Sequence, residues 1–202
     1  MDEKPDRKNP DCSALKIPPK ELIREELARE EAKYSFWKTL WNIAVALIVA
    51  AAIAALIMTR LFLLIQINGN SMAPTLTDGE IIFILQTKEI EAGDMIGFYY
   101  GGRILMKRVI GVAGDQIEIN GDGDVYVNGE LLAEPYVTEK HLGKCELEFP
   151  YKVPKGMVFV LGDNRAVSID SRIRSVGCVE KDQIAGKAVF RAWPPARMGN
   201  KW

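Results

Sequence analysis

Ser71 lies in Asn70-Ser-Met-Ala-Pro-Thr-Leu76, just beyond a long apolar segment. A serine hydroxyl is a weak nucleophile until a neighbouring base takes its proton. The usual base is a histidine, but the only one, His141, sits in a polar stretch, Lys140-His-Leu-Gly-Lys144, with no accompanying motif. A lysine can replace it only if its amine is neutral, which burial in apolar surroundings favours. Lys107 has such surroundings. In the strand-like run Arg103-Ile-Leu-Met-Lys-Arg-Val-Ile110, alternate residues share a face, so Leu105 and Val109 flank Lys107 while Met106 and Arg108 point the other way. Lys88, Lys152 and Lys155 stand in polar, turn-like contexts and read as surface charges.

A third cluster, Gly162-Asp-Asn-Arg-Ala-Val-Ser-Ile-Asp-Ser-Arg172, follows the apolar run 157–161. Asp163, Arg165, Asp170 and Arg172 are able to form ion pairs that fix a loop, and Ser168 and Ser171 are able to bond a neighbouring amine. Taken alone, this stretch reads better as a well-tied surface loop.

The elements that must position these groups fall into three parts: a tail and charged helix at 1–38, a membrane helix at 39–64, and an extracytoplasmic domain at 65–202. Residues 1–19 are polar and carry Pro5, Pro10, Pro18 and Pro19, which reads as a disordered tail. From Lys20 the chain is rich in helix formers with Glu–Arg and Glu–Lys pairs at helical spacing. The run from Asn42 to Met58 has 17 residues and no charge, is preceded by Trp37 and Trp41, and is apolar all round rather than striped. A helix from about Thr39 to about Leu64, with Arg60 snorkelling, would cross a hydrocarbon core roughly 30 Å thick. Arg24, Arg29, Lys33 and Lys38 precede the span, and only Arg60 follows it before Lys88, which places the N-terminus in the cytoplasm.

Beyond Ser71 the pattern is β. Short strands are expected at 80–85, 94–100, 103–110, 116–120, 124–127, 157–161 and 184–192, with turns at Gly101-Gly102, 121–123 and Asn128-Gly129. The fold class is therefore mostly β, a barrel-like catalytic domain behind one N-terminal transmembrane helix. Asn120-Gly-Asp-Gly-Asp124 imitates the start of a calcium loop, but Val125 and Leu131 occupy the positions that need glycine and glutamate, so a hairpin turn is the better reading. Cys12, Cys145 and Cys178 form no zinc-binding pattern, and Cys145 and Cys178 are expected as free thiols, with a disulfide as the alternative. The net charge of -1 argues against nucleic acid as a partner.

The clusters, in this order behind an anchor, resemble bacterial type I signal peptidase over roughly residues 61–194. Ser71-Met-Ala-Pro-Thr-Leu76 resembles the nucleophile box, Lys107-Arg-Val-Ile-Gly111 the base box, and 162–172 the long loop motif. Asp78-Gly-Glu80 and Gly93-Asp94 fit the short box between the first two. The resemblance implies a Ser/Lys-dyad endopeptidase that removes signal peptides at the outer membrane face, without metal or cofactor. It makes Ser71 the nucleophile, Lys107 the general base, and Ser168 a hydrogen-bonding partner that orients the Lys107 amine. Asp170 and Arg172 would pair to hold the loop, Met72 would pack beside the site, Arg108 would be structural, and the Ser71 N–H would be one oxyanion donor. Implied partners are preproteins with Ala-X-Ala signal peptides, membrane lipid and the neighbouring secretion translocon. The implied setting is the bacterial cell membrane, crossed once.

Where longer Gram-negative members carry a second donor serine, this chain has Gly69, and its short spacing matches the compact Gram-positive type. Self-cleaving repressors share the dyad but need a DNA-binding helix-turn-helix, and penicillin-binding enzymes need Ser-x-x-Lys where this chain has Pro74. An inactive membrane-anchored binding module on the same scaffold is the alternative from a different class.

Overall fold

The structure, a computed structural model, describes residues 19–200. Residues 1–18 of the expected tail, with Cys12, lie outside the described residues.

Helix α1 (Lys20–Leu61) has 42 residues, none of them buried. At 1.5 Å per residue it is roughly 63 Å long, about twice a hydrocarbon core. The apolar C-terminal half is thus long enough for a span, and the charged N-terminal half extends beyond it. The helix stops at Leu61, three residues short of expectation. Phe62–Gln66 is instead strand β1, paired antiparallel with β2 (Ile81–Leu85). Aromatic and β-branched residues in this run suit a pleated surface, and pairing with β2 satisfies the backbone there.

Nine further strands follow: β3 (Met95–Tyr100), β4 (Arg103–Gly111), β5 (Gln116–Ile119), β6 (Val125–Val127), β7 (Glu130–Leu131), β8 (Tyr151–Lys152), β9 (Met157–Leu161), β10 (Val179–Glu180) and β11 (Ile184–Trp193). All pairings are antiparallel. A seven-stranded sheet runs β1-β2-β11-β3-β4-β9-β10, and a four-stranded sheet runs β7-β6-β5-β8. The larger sheet is barrel-like but not closed, with β1 and β10 as its edges.

The β3–β4 hairpin turns on Gly101 and Gly102, with φ of 56° and 76°. Two successive positive φ values match the right-handed twist of the flanking strands, and glycine adopts them without strain. The 120–124 stretch is a turn in which Asn120 Oδ1 accepts the N–H groups of Asp122 and Asp124.

Burial separates the residues of β4. Val109, with Leu105 against it, packs with Ile96, Phe98 and Val160. Met106 packs with Met72, Leu76, Ile82 and Met95. A third cluster, around Ile117, Val125 and Phe159, joins the small sheet to β9. Lys107 therefore sits in sequence between residues of two different cores. Cys145 and Cys178 are free thiols.

Candidate active site

The chain leaves β1 and makes a tight turn before β2. Ala73 N–H donates to the Asn70 carbonyl at 3.1 Å, and Leu76 N–H donates to that of Met72 at 2.8 Å. Met72 and Leu76 are buried in the core beneath, which pins the turn on its apolar side. Ser71 stays half-buried above them. Gly69 N–H donates to Asp78 Oδ1 at 2.6 Å and closes the base of the loop. That donor is thereby occupied, whereas the Ser71 N–H meets no acceptor among the described residues.

Lys107 is only 2% exposed. Its Nζ donates to Ser71 Oγ at 2.7 Å and to the Met106 carbonyl at 2.9 Å. Neither partner is charged. Burial is the main cause that lowers its pKa from 10.5 to about 8, with Arg172 pushing the same way and Asp170 and Asp163 pushing back. The amine is thus within hydrogen-bond reach of the hydroxyl and readily neutral.

The two carboxylates that oppose this shift are each held by an arginine. Arg108 Nε and Nη2 grip Asp163 at 2.9 and 2.7 Å, and Thr75 Oγ1 donates to the same carboxylate at 2.5 Å. The Arg108 guanidinium also lies 3.9 Å from the centre of the Tyr136 ring. Arg172 Nε and Nη2 each bond Asp170 at 2.8 Å, and its remaining donors reach the carbonyls of Leu142 at 2.6 Å and Arg165 at 3.0 Å. Asp170 Oδ2 accepts Gly162 N–H at 3.0 Å, and Asn164 N–H donates to the Ser71 carbonyl at 3.1 Å. The 162–172 loop is thus tied directly to the Ser71 turn.

Gly162 is the point of closest approach. A Cβ there would contact Ser168 Oγ and lie 2.5 Å from the Ser71 carbonyl oxygen. This places Ser168 beside the turn, 4% exposed, but its Oγ has no hydrogen-bond partner. The bond from Ser168 to the Lys107 amine implied by the resemblance is not made in this structure.

Five residues enter the arrangement that the sequence reading gave no role. Thr75 joins Asp163. Glu134 forms a buried ion pair with Arg165, whose Nε also bonds the Gly162 carbonyl at 3.0 Å. Buried Glu80 pairs with Arg191 at 3.1 Å and Arg197 at 2.7 Å. Arg191 and Arg197 in turn donate to the Thr75 carbonyl at 2.6 and 3.3 Å. Glu80 and Thr75 stood inside recognised boxes, but the other three carry no local signal.

A cleft of about 630 Å³ opens on Ser71 and Lys107. Its walls are β1 with the residues just after it, 63–68, and the 103–107 part of β4. β9 pairs only with 108–111, and β1 is an edge strand, so both walls present unpaired backbone. From Lys107 to Arg103 the cleft extends roughly 13 Å, the length of four strand residues.

A Ser–Lys pair at a cleft on an antiparallel sheet defines a candidate serine hydrolase. The family described as signal peptidase, peptidase S26, matches residues 40–193, and the chain belongs to it. Signal peptidase I of Bacillus amyloliquefaciens is 37% identical over 174 residues, covering 77% of this chain and 86% of that protein. Signal peptidase IB of Staphylococcus aureus is 37% identical over 173 residues, covering 76% and 87%. A crystal structure of a signal peptidase I from Enterococcus faecalis is 32% identical with a TM-score of 0.41, covering 49% of this chain and 96% of that one.

Proposed function

We propose that the chain is a membrane-anchored endopeptidase that removes signal peptides from preproteins, with Ser71 as nucleophile and Lys107 as general base. The observation that carries this reading is the 2.7 Å bond between a buried lysine without a counter-ion and the serine hydroxyl. Neutral Lys107 takes the Ser71 proton as Oγ attacks the scissile carbonyl. The resulting ammonium protonates the leaving amine, and the same lysine then activates the water that hydrolyses the acyl-enzyme. The Met106 carbonyl, at 2.9 Å, aims the amine throughout. The free Ser71 N–H supports its role as an oxyanion donor. Asp170, Arg172 and Met72 position these groups, and Ser168 stands ready to accept a hydrogen bond from the charged lysine.

The unpaired edges of β1 and β4 support binding of an extended substrate by strand addition. The mostly apolar walls of that cleft suit the small residues of an Ala-X-Ala signal. The unburied apolar half of α1 and the lysine and arginine asymmetry around it support one span with the N-terminus in the cytoplasm and residues 65–202 outside. Lipid contact belongs to the same reading, and a location near the translocon is part of the proposal because its substrates emerge there.

The test is cleavage of a preprotein by the full chain in detergent. Ser71→Ala and Lys107→Ala should each abolish it while the β-domain stays folded. In the wild type, kcat/KM should rise about tenfold per pH unit and level off above a pH near 8, because only the neutral amine is a base. Near-normal activity of Lys107→Ala, or a flat pH profile, would remove the dyad assignment.

A further inference from the structure

We propose that a second, smaller cleft beside the nucleophile turn receives the residues that follow the scissile bond and favours positively charged side chains there through Glu139. The proposal rests on the function proposed above. This cleft holds about 240 Å³ and shares no residue with the larger one. Ala73 and Pro74 of the nucleophile turn form one wall, Asp163 and Asn164 of the loop after β9 another, and Thr138 and Glu139 the third.

Its position follows from the chain around Ser71. The larger cleft ends at Ser71 and Lys107, so a peptide with its acyl side there and its scissile carbonyl at Ser71 Oγ must continue past the nucleophile turn. Ala73 lies two residues after Ser71, and the Asn164 N–H that bonds the Ser71 carbonyl belongs to the same loop as the cleft wall. One to two extended residues, at about 3.3 Å each, bridge that gap.

Glu139 sets the sign of the charge. Asp163 is neutralised by two bonds from Arg108, and nearby Glu134 by Arg165. Lys140 is engaged with Asp124. Glu139 is exposed and has no ion pair among the described residues, so its carboxylate is the uncompensated charge on this cleft. The larger cleft has the opposite character, with mostly apolar walls and Arg103 as its far charge. The two clefts thus offer different chemistry to the two sides of the cut.

The experiment uses the full chain in detergent and three synthetic preprotein peptides. They are identical up to the cut and carry Lys, Ser or Glu at the second position after it. Cleavage of the Ser peptide by wild type tests the proposed function, and its absence overturns that reading together with this one. The ratio of kcat/KM for the Lys peptide over the Glu peptide tests the cleft. We expect a ratio of about five at low salt, shrinking toward one at high salt, as suits a single solvent-exposed charge. Glu139→Gln should bring the ratio near one, and Glu139→Lys should invert it. An unchanged ratio in Glu139→Lys, with the Ser peptide still cut by wild type, would overturn the proposal.

Discussion

Lys107 and Arg172 are buried to nearly the same depth, 2% and 1% exposed. Arg172 holds the Asp170 carboxylate through two bonds, whereas Lys107 meets only a hydroxyl and a carbonyl. Arg172 thus faces a counter-ion of its own, while Lys107 has none and gives up its proton near pH 8. The two are coupled. Asp170 and Asp163 would each favour the charged amine, but Arg172 and Arg108 neutralise them. The ion-pair layer thus lets two carboxylates sit near the proposed base without returning a proton to it. The arrangement costs stability at lower pH. Lys107 has a lower pKa folded than unfolded, so the unfolded chain binds more protons between about pH 8 and 10.5, and stability should rise with pH across that window.

Arg172→Met attacks the contrast most directly. It leaves Asp170 buried and unpaired, which should cost about 3–5 kcal/mol in denaturant or thermal unfolding. Asp170 would also face Lys107 without its arginine, so the folded fraction should show its pH–activity midpoint moved above that of the wild type. A lower melting temperature with an unmoved midpoint would reduce Arg172 to a brace. The pair Asp170→Leu with Arg172→Met should recover part of the stability, because neither charge then remains alone.

Gly162→Ala tests the contact between the two layers. The added methyl meets Ser168 and lies 2.5 Å from the Ser71 carbonyl, so the turn or the loop must move. A displacement of about 1 Å at a nucleophile costs on the order of a hundredfold in kcat, or roughly 2.7 kcal/mol. The protein should stay folded, since Asp170 and Arg172 remain paired. Unchanged kcat would mean that the 162–172 loop does not position Ser71.

The parts of this arrangement that depend on local pattern were legible in the sequence. β3, β4, β5, β6, β9 and β11 alternate or sit between glycine turns, and each was expected within a residue or two of its bounds. β1 was not, because Phe-Leu-Leu-Ile reads as a continuation of the lipid span, and only its pairing with β2 makes it a strand. β7, β8 and β10 have two residues each, too short for any period to register. At the site, Ser71 and Lys107 stood out by context, and their atoms are 2.7 Å apart. The Glu134–Arg165 pair and the Glu80 pairings with Arg191 and Arg197 were invisible because each acid lies 31 or more residues from its arginines in sequence. Only the fold brings such charges together, and burial alone turns them from surface residues into supports.

Ser168 yields the smallest expected effect and the sharpest reading of the comparison. Its hydroxyl is buried beside the turn without a partner, a state that costs about 1–3 kcal/mol. If that cost is retained for catalysis, the hydroxyl should serve the charged lysine, which gains a donor as it takes the Ser71 proton. Ser168→Ala should then lower kcat by about tenfold, some 1.4 kcal/mol, while leaving stability unchanged or slightly higher. The two quantities should move in opposite directions, which a purely structural serine would not produce. Parallel losses in melting temperature and kcat would place Ser168 with the braced layer of Asp170 and Arg172. An unchanged kcat would leave Lys107 oriented by the Met106 carbonyl alone.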